Sequence, residues 1–227
     1  MNAQPGKAIL SADEIVRRFE LLGRPGRRTS PSAPAAASPD AQALRPRGDH
    51  DLNPDMYEPA EKLTPAAVLV PIVERAEGLT VLLTKRTAHL HDHAGQVSFP
   101  GGRVDPGDSG PVSTALRETE EEIGLARHHV RLIGQLDTYV TRTGFEISPL
   151  VGLIAPPFEL RPDDFEVAEV FEVPLGFILD PASQKRQSRM FKGALRHFYV
   201  FPYDDYYIWG ATAGMLVNLT EVLGNAD

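Results

Sequence analysis

Between Arg117 and Leu125 the chain reads Arg-Glu-Thr-Glu-Glu-Glu-Ile-Gly-Leu, and four carboxylates within five residues constrain it more than any other stretch. Pro111 to Ile123 has helical periodicity, and like charges a turn apart on a helix repel. At about 100° per residue, with Glu118 at zero, Glu122 falls near ~40° and Glu121 near ~300°. Val112, Leu116, Thr119 and Ile123 gather between roughly 100° and 160°, so the helix buries that stripe and turns three carboxylates to a common face. Glu120, near ~200°, points elsewhere and reads as a solvated residue. Two readings of the shared face stand: a solvated acidic flank, the usual fate of a charge run, or a hard-oxygen site for Mg²⁺ or Mn²⁺ that relieves the repulsion. Upstream lies Phe99-Pro100-Gly101-Gly102, in which Pro fixes φ and the paired Gly permit a backbone that aims carbonyls or amides inward, or form an ordinary turn.

The rest of the chain sets the frame for this helix. Its 227 residues carry 23 basic and 31 acidic side chains, a formal charge of −8, which disfavours a basic nucleic-acid binder. No apolar run approaches the ~18–20 residues of a membrane span, and Met1 to Lys7 lacks an export or transit pattern, so a cytoplasmic location is expected. Zero Cys excludes disulfides, thiolate zinc sites and cysteine nucleophiles. Charge divides unevenly: residues 1–50 hold 8 basic and 5 acidic groups, and residues 51–227 hold 15 and 26, a net −11. Ser11 to Glu14 has capping-box spacing before an apolar stripe of Ile15, Phe19, Leu21 and Leu22, which predicts one helix ended by Gly23. Arg24 to Asp55 is dominated by Pro, Ala, Ser, Gly and Arg and reads as a disordered linker or arm. The expected division is therefore 1–55, helix and linker, and 56–227, the folded domain, with residues 1–50 dispensable for activity.

Ala66 to Val73 and Leu79 to Thr84 read as a hairpin closed by Glu-Gly. Strands are expected over 130–140 and 145–154, joined at Thr141-Arg142-Thr143-Gly144, then over 168–173, 196–201 and 206–209. Short and long helices are expected over 175–179 and 211–223. Strands and helices mix without βαβ alternation, which favours an α/β class with a mixed sheet and helices on its faces.

Gly102, five residues, Asp108, eight residues, then Arg117-Glu118-Thr119-Glu120-Glu121-Glu122-Ile123-Gly124-Leu125 resembles the Nudix box, Gly-x5-Glu-x7-Arg-Glu-U-x-Glu-Glu-x-Gly-U with U apolar. The chain departs by Asp108 for Glu, by one extra residue before Arg117 and by Thr119 at an apolar position. The family's Glu braces the loop against its Arg, and the shorter Asp108 stands in its place. Leu82-Leu83-Thr84-Lys85-Arg86, then Leu90, His93 and Gly95 to Gly102, resembles the added signature of the coenzyme A pyrophosphatase subfamily, which shares the insertion and the Asp. Further similarity at 166–175 and 208–213 extends the resemblance over roughly 65–223.

That resemblance implies a Nudix α/β/α sandwich that hydrolyses a diphosphate, with CoA the favoured substrate and 3′,5′-ADP and 4′-phosphopantetheine the products. It implies Mg²⁺ or Mn²⁺ on Glu118 and Glu122, with Glu121 a ligand or base and a carbonyl of Gly101 or Gly102 completing the set. Glu166 or Glu169, before an apolar strand, is expected to complete the cluster or act as base, and spacing does not choose between them. Arg86 and Arg103 are candidate bidentate partners of phosphate, and His93 and Gln96 are candidate loop-ordering or phosphate-contacting donors. Trp209, Tyr203, Tyr206 and Tyr207 stack on adenine or belong to the core. The expected partner is a small-molecule substrate, with neither nucleic acid nor membrane, and a homodimer is left open. Other Nudix substrates (ADP-ribose, NADH, dinucleoside polyphosphates) and a non-catalytic ligand-sensing module are the competing functions.

Overall fold

A computed structural model describes residues 10–23, 46–56, 62–89, 95–191 and 193–224. Its elements run α1 (Ala12–Leu21), β1 (Arg47–Gly48), β2 (Thr64–Arg75), β3 (Gly78–Arg86), β4 (Val97–Ser98), β5 (Gly101–Arg103), α2 (Pro111–Ile123), β6 (Val130–Gln135), β7 (Tyr139–Val140) and β8 (Phe145–Ile154). They continue with β9 (Val167–Pro174), α3 (Leu175–Ile178), β10 (Lys185–Phe191), β11 (Ala194–Tyr203), β12 (Tyr206–Trp209) and α4 (Ala211–Gly224). No described helix is long and apolar enough to cross a membrane.

Strands β1 to β9 form one mixed sheet, and β10 to β12 form a small antiparallel one. The core of the mixed sheet is β2, which runs parallel to β8 from Thr64↔Phe145 to Val73↔Ile154. Its other edge is shared: β5 pairs with Ala66 to Val68, and β3 pairs with Ile72 to Arg75. Pro71 falls between those two partners. Leu69 donates its N–H to Pro100 on that edge, so two residues on the nitrogen of Pro71 faces the interval where no ladder bond is asked of it.

Side chains of β2 alternate between two apolar layers, as a pleated strand requires. Ala67, Leu69 and Val73 pack with Ala115 and Ile123 of α2, whereas Val68, Val70 and Ile72 pack with α4 and with Ile15 and Phe19 of α1. The layers are helix, mixed sheet, helix, as the α/β/α expectation has it. Helix α2 spans the residues its periodicity predicts, with Pro111 at its first turn and Gly124 in the left-handed region (φ 68°) as its C-cap. A Cβ on Gly124 would also stand 2.8 Å from Cβ of Arg161, so neither the conformation nor the space admits a side chain.

Two expectations are corrected. Helix α1 forms where Ser11 accepts the N–H of Glu14, but it is not an appendage, because Ile15 and Phe19 are fully buried in the main core. The linker expected to Asp55 ends earlier. Arg47 and Gly48 pair with Tyr139 and Val140, and Asp49 accepts from the Tyr139 hydroxyl (3.1 Å) and the Arg196 guanidinium (2.8 Å). Asn53 exchanges hydrogen bonds with the backbone of His197 at 2.9 and 2.7 Å. The packing therefore does not follow the expected division at residue 55. The N-terminal helix and residues 46–53 are held by burial and by isolated polar contacts that carry no periodic signature. Of the disordered extension expected there, the Pro/Ala/Ser run of 31–39 lies outside the described residues.

Candidate active site

The loop after β4 crosses back to β2 as β5 and then leads into α2, which carries Gly101 and Gly102 onto the carboxylate face of the helix. The Gly101 N–H donates to Oε2 of Glu122 at 3.1 Å. A Cβ on Gly102 would stand 2.5 Å from Oε1 of Glu118, so the missing side chain is what lets backbone and carboxylate approach. Arg117 braces this loop. Its Nε and Nη2 donate to the two oxygens of Asp108 at 3.2 and 2.9 Å, and Nη2 also reaches the Arg103 carbonyl at 3.2 Å. The Arg117 guanidinium holds the Asp108 carboxyl far below the usual range, with help from the Asp105 N–H and the Thr114 hydroxyl. The shorter Asp thus makes the bracing contact of the family's Glu. Thr119, at the apolar position, is buried and donates its hydroxyl to the Ala115 carbonyl at 2.6 Å, which satisfies it within the helix.

Charge on the helix is distributed unequally. Glu118 and Glu121 both meet Nη1 of Arg117, at 2.9 and 2.8 Å. Glu120 is paired with Arg127 on another side, as its angular position implies. Glu122 is 6% exposed, and its nearest cation, Nη1 of Arg86, is 3.8 Å away. Burial, aided by Glu118 and Glu166, pushes the Glu122 carboxyl up to about 7, against the pull of the Gly101 N–H and Arg86. Burial also raises Glu118.

The chain therefore brings Glu118, Glu121, Glu122, Gly102, Arg86 and Glu166 to one end of the sheet. Glu166 precedes β9, where its carbonyl accepts the N–H of Thr87, one residue beyond Arg86. Glu169 stands opposite Lys85 and accepts the hydroxyl of Tyr206, whereas the charge of Glu166 acts on Glu122. The Arg103 guanidinium lies over the Phe145 ring, 5.2 Å from its centroid, and the residue contributes its carbonyl to the site. Gln96 accepts the Arg86 N–H through its carbonyl at 2.9 Å. His93 lies outside the described residues. Tyr206 stacks on Phe171 at 3.6 Å, Tyr203 packs on Phe177 and Trp209 on Phe198, which assigns these rings to packing within the protein. Phe165, in the acidic loop before β9, is 64% exposed beside Glu166, and an isolated Phe gave no periodic signal for such a position.

Among the described residues no three carboxylates already meet around one point, since Arg117 draws on Glu118 and Glu121. The donor chemistry nonetheless fits a hard divalent cation: two largely buried carboxylates four residues apart, one of them short of a counter-charge, beside a side-chain-free stretch of backbone. Arg86 adds a second unmet demand, because its Nε is buried and has no hydrogen-bond partner among the described residues.

The fold and this acidic helix set the class of protein, and comparison with known proteins names it. The NUDIX domain family matches residues 63–192, and the chain belongs to the Nudix hydrolase family. It is 42% identical over 162 residues to "Uncharacterized Nudix hydrolase NudL" of Yersinia enterocolitica, covering 69% of this chain and 80% of that one. The protein of the same name in Escherichia coli strain K12 is 41% identical over 160 residues, covering 70% and 82%. The crystal structure of a Nudix hydrolase from M. smegmatis, RenU, aligns over 74% of this chain and 90% of its own at 20% identity, with a TM-score of 0.48. Nudix hydrolases generally use divalent metal ions, usually Mg²⁺ or Mn²⁺.

Proposed function

We propose that this chain hydrolyses the diphosphate of coenzyme A or its acyl derivatives, using Mg²⁺ or Mn²⁺ and releasing 3′,5′-ADP and 4′-phosphopantetheine or its acyl form. The observation that carries the reading is Arg86. It closes the Leu82 to Arg86 run that resembles the CoA subfamily, approaches the buried Glu122, and keeps a buried Nε that has no partner among the described residues. A guanidinium so held is suited to a phosphate group, two of whose oxygens accept parallel N–H bonds.

A segment at net −11 repels an anionic diphosphate unless cations intervene. Glu118 and Glu122 would hold the divalent ion, with a carbonyl of Gly101 or Gly102 as a further ligand and Glu121 as a ligand or, instead, the base. The bound ion would offset developing phosphoryl charge and lower the pKa of water. Arg86 orients the diphosphate, and Arg117, braced by Asp108, fixes the start of the acidic run. A carboxylate oxygen of Glu166 or Glu121 takes the proton of the attacking water, whose oxygen bonds to phosphorus as the bridging P–O bond breaks.

The test is turnover of CoA, dephospho-CoA, ADP-ribose, NADH and diadenosine polyphosphates with Mg²⁺ or Mn²⁺, with products identified by mass. CoA is expected to have the highest kcat/KM, and Glu120→Gln to leave it near wild type. Equal kcat/KM for CoA and ADP-ribose would remove the substrate assignment, and no metal-dependent turnover of any diphosphate would remove the reaction.

A further inference from the structure

Phe165 is a large apolar side chain held out to solvent on a fixed backbone. It is 64% exposed, yet its N–H donates to Oδ1 of Asp163 at 2.9 Å and its carbonyl accepts the Thr87 hydroxyl at 2.8 Å. The flanking residues are pinned as well: the Glu166 N–H donates to the Asp163 carbonyl, and its carbonyl accepts the Thr87 N–H, both at 3.0 Å. His89 packs against one side of the ring, with centroids 4.9 Å apart and planes inclined by 59°, which leaves the rest of the aromatic surface open.

Position gives this corner a meaning. Phe165 is one residue, or about 3.8 Å of backbone, from Glu166, whose charge acts on Glu122. Its anchor Thr87 directly follows Arg86. An exposed aromatic ring on a pinned backbone thus stands next in sequence to Glu166 and is anchored to the residue after Arg86.

We propose that Phe165, backed by His89, is the stacking platform for the purine base of the substrate. Building on the diphosphatase reading above, this assigns the adenine end of the substrate to the β3–β9 side of the carboxylate site. A flat aromatic surface matches a planar base. The pantetheine arm, a flexible amide chain, has no face to lay on it and draws nothing from ring orientation. Base–aromatic stacking of about 1–3 kcal/mol per base corresponds, at ~1.4 kcal/mol per factor of ten, to roughly 5- to 140-fold in affinity, so a loss of about ten-fold lies towards its lower end.

The experiment compares two inhibitors that differ by the base, AMP and ribose 5-phosphate, against turnover of whichever diphosphate the wild type cleaves. Phe165→Ala and Phe165→Leu are expected to raise the Ki of AMP about ten-fold and to leave that of ribose 5-phosphate within about two-fold. Phe165→Trp should retain AMP affinity, and its added indole emission should be quenched as AMP is titrated in, a readout that needs no turnover. An unchanged Ki for AMP in Phe165→Ala, an equal loss for both inhibitors, or an unquenched indole in Phe165→Trp would overturn the platform. Failure of the CoA assignment is distinguishable, because it appears as wild-type turnover of other adenine diphosphates while the AMP comparison still reads the platform.

Discussion

Replacing Glu122 by Gln separates what this carboxyl does to stability from what it does for catalysis. Its side chain is almost fully buried, and burial carries it from 4.5 to about 7. A carboxyl whose folded pKa lies above its unfolded value keeps its proton longer in the native state, so stability falls as pH rises from 4.5 towards 7 and is lowest above both values. At ~1.4 kcal/mol per tenfold step, the gap between the two values corresponds to about 3 kcal/mol. With a chelator present, wild type is expected to lose about that much between acid and mildly alkaline pH, whereas Glu122→Gln lacks this loss and is the more stable protein at about pH 8. Added Mg²⁺ should reverse the order, since a cation that binds only the folded carboxylate stabilises by mass action. Urea unfolding at both pH values, with EDTA or Mg²⁺, reads the effect. Hydrolysis measured in parallel should fall by about 100-fold or more in kcat, because an anionic ligand to the ion is lost. A Gln variant less stable than wild type in EDTA at about pH 8 would refute the idea that Glu122 is buried short of a counter-charge. Undiminished turnover would remove Glu122 from the reaction.

Two further substitutions probe the frame of the site. Phe19→Ala empties a fully buried position in the main core and should cost about 3–5 kcal/mol in urea unfolding, so a chain begun at Asp51 should also be destabilised; wild-type stability in both would detach α1 from the core. Gly102→Ala sets a Cβ 2.5 Å from the Glu118 carboxylate and should raise the Mg²⁺ concentration for half-maximal activity by about ten-fold or more with circular dichroism unchanged; unaltered metal dependence would show that the close approach has no part in the site.

Much of the fold was legible because burial imposes a period. Helix α2 and the hairpin of β2 and β3 follow the residues that their apolar spacing marks, and α4 follows from its continuous apolar composition. Strand β10 escaped notice because Lys185 to Met190 are exposed and nothing in Lys-Arg-Gln-Ser-Arg-Met alternates; the strand exists through its ladder with β11. The contacts at Arg47, Asp49 and Asn53 were hidden for a related reason. Each is a single polar group reaching a partner 90 or more residues away, and single contacts leave no pattern along the chain. The helix α1 was visible as a helix, but its destination was not, since an amphipathic stripe says that a face is buried without saying against what.

The same limit separates what could be read of the site from what could not. Helical geometry puts Glu118, Glu121 and Glu122 on one face and Glu120 off it, but it treats the three as equivalent. Through-space partners make them unequal. Arg117 lies within 2.9 Å of both Glu118 and Glu121, and Arg127 pairs with Glu120, so three of the four carboxylates have a cation in contact. The fourth, Glu122, is the most buried and, among the described residues, has only a backbone N–H at 3.1 Å and a guanidinium at 3.8 Å. An acidic helix built only to be tolerated would place its least compensated carboxylate in water, where the dielectric screens it. Here the order is reversed: the most buried of the four carboxylates is the least compensated, and it lies where the helix meets Gly101. That contrast supports the proposed cation site over a solvated flank, with Glu122 the carboxylate most short of positive charge, beside a buried guanidinium nitrogen that has no partner among the described residues.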